Sequence, residues 1–239
     1  MNTKALSAIC LAAVVAFAGC KKSDSSSSDL EMTDPTEQLP EKYKTQEPVP
    51  KPDFSEAAKS PAFQQAIKDA AALLGSQPQP LQSPAEDEPV NGGVSFNVPE
   101  NRLERILRKA HTDYLSRGFY LFRYDQNFGI GNNPDRVGLL PTTDKYAVMA
   151  AMDTNGDNYE IGTAGVIAWM KDLEHEQPYV LTGIGFDYME GYFIDPVKDP
   201  QDLARRMYQF CPDIVDQGVG SVRKLVSELG KGDIYFWWD

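Results

Sequence analysis

Cysteine and histidine are both scarce in this chain of 239 residues. There are three cysteines, Cys10, Cys20 and Cys211, and two histidines, His111 and His175. Two histidines are too few to build a convincing zinc site, and both read as solvated side chains on helix surfaces or ends. Positive charge is also short. Lys and Arg number 23 against 35 Asp and Glu, a formal net charge of −12. Phosphates must be met by Lys and Arg, so nucleic acid is excluded as a partner, and anionic lipid headgroups should repel the chain. No apolar run approaches the ~20 residues of a membrane-spanning helix. There is no internal repeat. Gly129-Ile130-Gly131, Gly183-Ile184-Gly185 and Gly218-Val219-Gly220 each begin a dinucleotide fingerprint and none completes it. No G-x-S-x-G elbow occurs, and no cofactor is implied.

The amino terminus is distinctive in what it does have. Lys4 is followed by an apolar stretch from Ala5 to Ala18, then by Gly19 and Cys20. A short apolar run behind a positive start, ending in small residues, is a secretion signal. Phe17-Ala18-Gly19-Cys20 resembles the lipobox of bacterial lipoprotein precursors. That resemblance implies cleavage before Cys20, removing residues 1–19, and a diacylglycerol thioether with acylation (palmitate or similar) at Cys20. More than one acyl chain gives stable anchoring where a single chain binds only marginally. The membrane is thus a partner through lipid on Cys20, in the bacterial cell envelope. Lys21 stands where Asp would be the usual inner-membrane retention cue, which favours the outer membrane. With Cys10 removed and Cys20 acylated, Cys211 keeps the one free thiol and no intramolecular disulfide can form.

Residues 20–93 read as a disordered tether. From Lys21 to Ser60, serines, prolines and charges dominate, and Leu39, Tyr43 and Phe54 stand isolated among them. Such a segment cannot bury enough apolar area to offset its ordering entropy. One short helix is expected near 61–74, with Ser60-Pro61 as cap and first turn and Phe63, Ala66, Ala70 and Leu74 at helical spacing.

The globular part is expected over 94–239. Val94, Phe96 and Val98 alternate with polar residues as a half-buried strand does. Further strands are expected at 119–124, 137–140, 179–186, 189–194 and 234–239. Helices are expected after Pro99, after Thr142, from Thr163, from Asp199 and toward Leu229. Intermixed helices and strands over this length predict one α+β domain with a mixed or antiparallel sheet covered by helices. The bulky closing strand Ile234-Tyr235-Phe236-Trp237-Trp238 is expected inside the sheet, because exposing it would invite aggregation. Both tryptophans are expected to be core.

Three stretches resemble the bacterial domain of unknown function numbered 4253. They are Thr154-Asn155-Gly156-Asp157-Asn158-Tyr159, the run from Phe210 to Gly218 containing Cys211-Pro212-Asp213, and Tyr235-Phe236-Trp237-Trp238-Asp239. The likeness spans roughly Leu139 to Asp239 and implies an α+β fold. It carries over no catalytic residue.

Asp153 to Asn158 invites a calcium reading, but the sixth residue of an EF-hand loop must be glycine and the twelfth glutamate. Here they are Asn158 and Ala164, so the stretch reads as a polar turn. Cys211 lies near a helix C-terminus, where the dipole disfavours a thiolate, and reads as a buried structural thiol. The candidate partner or pocket residues are Asp187, Glu190, Asp213, Gln217 and Trp237. The expectation is a lipid-anchored binding module with an envelope protein as partner. The alternative is an envelope hydrolase using carboxylates at Asp187, Glu190 and Asp213 in a cleft.

Overall fold

The computed structural model describes residues 38–83, 88–127 and 133–239. Residues 1–37, which hold the expected signal, Cys20 and the first part of the expected tether, lie outside them. Among the described residues no helix is long and apolar enough to cross a membrane.

Seven strands form one mixed sheet: β1 Gln79–Gln82, β2 Pro89–Val98, β3 Tyr120–Asp125, β4 Asp135–Leu140, β5 Tyr179–Ile184, β6 Tyr188–Phe193 and β7 Asp233–Trp237. Their order across the sheet is β1-β2-β4-β3-β5-β6-β7. All neighbours are antiparallel except β3 and β5, which meet in parallel at Arg123 and Gly183. The helices are α1 Ser55–Ala58, α2 Pro61–Leu74, α3 Glu100–Ser116, α4 Lys145–Met152, α5 Thr163–Glu176, α6 Pro200–Phe210 and α7 Val222–Leu229. This is the expected α+β domain.

Local chemistry sets the helix limits. At α2 the Ser60 hydroxyl accepts from the Phe63 N–H, Pro61 opens the first turn, and Gly75 closes it in the left-handed region at φ 64°. At α6 the Asp199 carboxylate accepts from the Gln201 and Asp202 N–H groups ahead of Pro200. The two faces of the sheet bury two cores. One core gathers Tyr120, Phe122 and Tyr124 of β3, the alternate residues of β6 and β7, and the apolar sides of α4 to α7. The other gathers Phe96, Leu121, Val137 and Leu139 under α2 and α3. No residue of β5, β6 or β7 belongs to that second core; on this half of the face α3 contributes Arg108, which lies 4.0 Å over the Tyr192 ring and pairs with Asp233 at 3.2 Å. Tyr192, Tyr235 and Trp237 lie there half-buried.

Five expectations are corrected. The described part of the expected tether is folded onto the domain. Leu39, Tyr43 and Phe54 are buried, the Tyr43 hydroxyl donates to Asp172 at 2.8 Å, and the Gly162 N–H donates to the Thr45 carbonyl at 2.9 Å. The strand expected to start at Val94 starts at Pro89 and pairs with β1. These apolar residues build no core of their own; each adds to one assembled by residues far along the chain. Helix α2 appears where expected, and its Phe63 is fully buried.

The closing strand β7 is an edge strand, paired with β6 alone. A π-type turn at Ile214–Val219 and α7 pack against it, which protects the edge without a further strand. His111 is not solvated. It is fully buried on α3, with Nδ1 2.7 Å from the Leu121 carbonyl. Finally, the tryptophans differ. Trp238 is core, stacked on Phe236, whereas Trp237 remains half-buried on the opposite face.

Candidate functional site

Strands β3, β5 and β7 all run the same way, so their carboxyl ends lie on one rim. After β3 the chain turns toward β4 on one side; after β5 it turns toward β6 on the other. Such a divergence opens a crevice outside the strand ends, where ligands bind in open α/β sheets. A cleft of about 230 Å³ lies there, lined by Tyr124, Asp125 and Gln126 at the end of β3, Phe186, Asp187 and Tyr188 at the β5–β6 hairpin, and Tyr235 and Trp237 of β7.

Five aromatic residues line the cleft, and among the described residues its charged groups are Asp125 and Asp187, with no Lys, Arg or His. Burial pushes the Asp187 carboxyl above the usual carboxylate range, and the nearby charges of Asp125 and Asp239 push the same way. Burial likewise raises Asp125, against the pull of Arg136 at 3.5 Å. Two polar atoms here are buried without any hydrogen-bond partner among the described residues, the Gln126 Oε1 and the Tyr188 hydroxyl. Orphaned buried polar atoms are rare and costly, and unfilled hydrogen-bonding capacity marks a place for a ligand or water.

Behind Tyr188 sits a buried charge cluster. Arg123 of β3 donates from Nε to Glu190 at 2.8 Å and from Nη1 to Asp135 at 3.0 Å and Glu104 at 2.7 Å. A second contact joins its Nη2 to Glu190. One guanidinium therefore serves three carboxylates, and the cluster carries an excess of negative charge.

The three stretches singled out in the sequence converge beside this rim. The Thr154 hydroxyl donates to the Gly185 carbonyl at 2.7 Å and the Asn155 N–H to the Phe186 carbonyl at 2.9 Å, which fixes the hairpin that carries Asp187. The Trp238 indole N–H donates to the Phe210 carbonyl at 3.2 Å, and the Cys211 thiol to the Trp237 carbonyl at 3.0 Å. Asp213 accepts from the Tyr159 hydroxyl at 2.7 Å, the Gln217 amide at 2.8 Å and the Asp239 N–H at 3.0 Å. Trp238 is thereby clamped, and the neighbouring Trp237 is aimed into the cleft. A Cβ on Gly156 would lie 2.7 Å from the Trp238 indole nitrogen, so the polar turn must present glycine there. Asp153, at the start of that turn, accepts from the Thr163 hydroxyl at 2.9 Å. Cys211 is buried, and burial drives its thiol pKa far up.

Of the five candidate residues, Asp187 and Trp237 line the cleft. Glu190 is spent on Arg123, and Asp213 and Gln217 belong to the clamp. The three acids proposed for hydrolysis thus stand in three separate surroundings. Tyr124, Asp125, Gln126, Phe186, Tyr188 and Tyr235 escaped the sequence reading. The run 119–124 was recognisable as a strand, but that its end meets the β5–β6 hairpin depends on a parallel pairing between distant segments.

A second depression of about 290 Å³ lies at the amino ends of β3 and β5, lined by Tyr120, Lys145, Tyr146, Glu174 and Tyr179 among others. Its polar groups are satisfied internally: Lys145 pairs with Glu174 at 2.6 Å, the Tyr146 hydroxyl also reaches Glu174, and the Tyr179 hydroxyl donates to the Met170 carbonyl at 2.8 Å.

Fold and site together define a single α+β domain with an acidic, aromatic cleft at the carboxyl rim of a mixed sheet. Residues 136–239 of this domain match the family described as domain of unknown function (DUF4253). No curated protein and no solved structure matches the chain.

Proposed function

We propose that this protein is a binding module of the bacterial envelope, held to the membrane, with the outer membrane favoured, by lipid on Cys20, and that it engages its partner through the cleft between β3, β5 and β7. The observation that carries the reading is Asp187, which has no ion pair among the described residues, beside the half-buried Trp237 in a cleft with two polar atoms that no described residue satisfies. Folded domains keep such groups where a ligand completes them. The sequence from Lys4 to Cys20 supports the lipid anchor. Residues 21–37 lie between that cysteine and the first described residue. Even fully extended, 17 residues reach about 60 Å at ~3.5 Å each, so the cleft would work close to the bilayer.

A hydrolase built on Asp187, Glu190 and Asp213 has less support, because Glu190 and Asp213 are already committed to structural partners. The test has two arms. Fractionation of cells expressing the parent chain and Cys20→Ser should move the variant out of the membrane pellet; unchanged fractionation refutes the anchor. Crosslinking in membranes followed by capture should recover a partner from the parent and not from Trp237→Ala. Equal recovery from both refutes the cleft as the binding surface.

A further inference from the structure

The chemistry of the cleft selects its ligand. Aromatic rings attract cations through their quadrupoles, most strongly when water is excluded. Phe186, Tyr188, Tyr235 and Trp237 supply such rings, and Asp187 lies among them with no cationic side chain paired to it among the described residues. Asp125 adds a second carboxylate, whose one cationic neighbour is Arg136 at 3.5 Å. Among the described residues Gln126 Oε1 is a buried acceptor with no donor, and Tyr188, 5% exposed, has an unpaired hydroxyl. Behind them, three carboxylates share Arg123. Each of these features favours a positively charged group that carries N–H donors. The volume, about 230 Å³, is below that of pockets for drug-sized ligands and suits a head group.

We infer that the cleft is a binding site for a small organic cation, an alkylammonium or guanidinium group, seated against Tyr235 and Trp237 and hydrogen-bonded to Asp187 and Gln126. An anion meets the carboxylates of Asp125 and Asp187 at the cleft wall. An uncharged ligand leaves the half-buried Asp187 without a counter-charge. The inference rests on the proposed binding role of the cleft and specifies what enters it.

The experiment uses the full-length lipoprotein in neutral detergent micelles at constant ionic strength, held with sodium chloride. n-Butylammonium chloride, methylguanidinium chloride, 1-butanol and sodium butyrate are titrated in turn, with binding read by saturation-transfer NMR on the probe. The expected result is saturable binding of at least one of the two cations and none of butyrate, with butanol weaker than butylammonium by about tenfold or more. Asp187→Asn should weaken the cation by about tenfold, and Trp237→Phe should weaken it while leaving near-UV circular dichroism native. Absence of binding by both cations overturns the inference, as does a natively folded Asp187→Asn that binds them like the parent. Butanol matching butylammonium, with both lost in Trp237→Ala, overturns the cation class yet leaves the cleft as a binding site. Loss of the captured partner in Trp237→Ala without any cation binding separates the two failures in the same way.

Discussion

Glu190 reaches Arg123 across the backbone of Gly183. Gly183 of β5 pairs with Glu190 on one side and Arg123 on the other, and a Cβ on it would lie 2.4 Å from Glu190 Cγ. The missing side chain is what lets an ion pair bridge three strands at the one parallel pairing in the sheet. Breaking a buried pair by removing one partner costs about 3–5 kcal/mol. Arg123→Leu should cost about that much, since it strands Asp135 and Glu190. Glu190→Gln should cost less, because Arg123 keeps Asp135 at 3.0 Å. Urea unfolding should give that order; the reverse order would show that the cluster is not shared as described.

Asp187 should act against stability. Its folded pKa is raised by burial, so the folded state binds more protons than the unfolded one between the ordinary carboxylate value and the raised one. Stability conferred by the protonated form is present at low pH and is lost as pH climbs through that window. Asp187→Asn removes the penalty. The variant should be more stable than the parent at neutral pH, by about 0.5–1 kcal/mol, and the difference should vanish in acid. A variant less stable at neutral pH would mean that the carboxylate has a folded-state partner.

His111 titrates with the opposite consequence. Burial lowers its pKa below the ordinary imidazole value, so below that value the unfolded chain takes up a proton that the folded chain refuses. Stability should therefore fall as pH drops below about 6.5, by up to ~1.4 kcal/mol per pH unit. His111→Asn offers a donor for the Leu121 carbonyl without the titration, so its profile over the same range should be flatter. Parallel profiles for parent and variant would remove His111 as the cause.

The amino-terminal strap is open to a direct check. Phe54 is buried and its N–H donates to the Asn91 carbonyl at 3.1 Å. Gly92 sits opposite at φ 82°, where a Cβ would lie 2.5 Å from the Phe54 backbone. Phe54→Ala should cost about 3–5 kcal/mol of unfolding free energy, and Gly92→Ala should also destabilise, through both strain and contact. The loss at Phe54→Ala would not register if residues 38–83 hung free of the domain.

Much of the layout was legible from the chain. Ser60-Pro61 and Gly75 bracket α2 at the expected residues, and the alternation in Val94-Ser95-Phe96-Asn97-Val98 marks the inner half of β2. Local signals carry such elements because caps, turns and periodicity act over a few residues. The strap was illegible for the opposite reason. Leu39, Tyr43 and Phe54 look stranded until α5 and β2 supply their neighbours. The cleft was half legible: Asp187 and Trp237 were candidates, but Asp125 and Gln126 join them through the β3–β5 pairing, which spans about sixty residues of sequence. Trp238 and Trp237 carry the same side chain and differ only in which sheet face each meets.

Strand β3 stands between β4 and β5, yet it ends before the family match begins at residue 136. Both ladder partners of β4, and the inner partner of β5, come from earlier in the chain. A polypeptide trimmed to the recurring segment would be a sheet with its keystone removed, two raw edges facing an empty slot. The matched residues 136–239 are thus fewer than those that pack together here, and the described residues from Leu39 to Asp135 supply the rest.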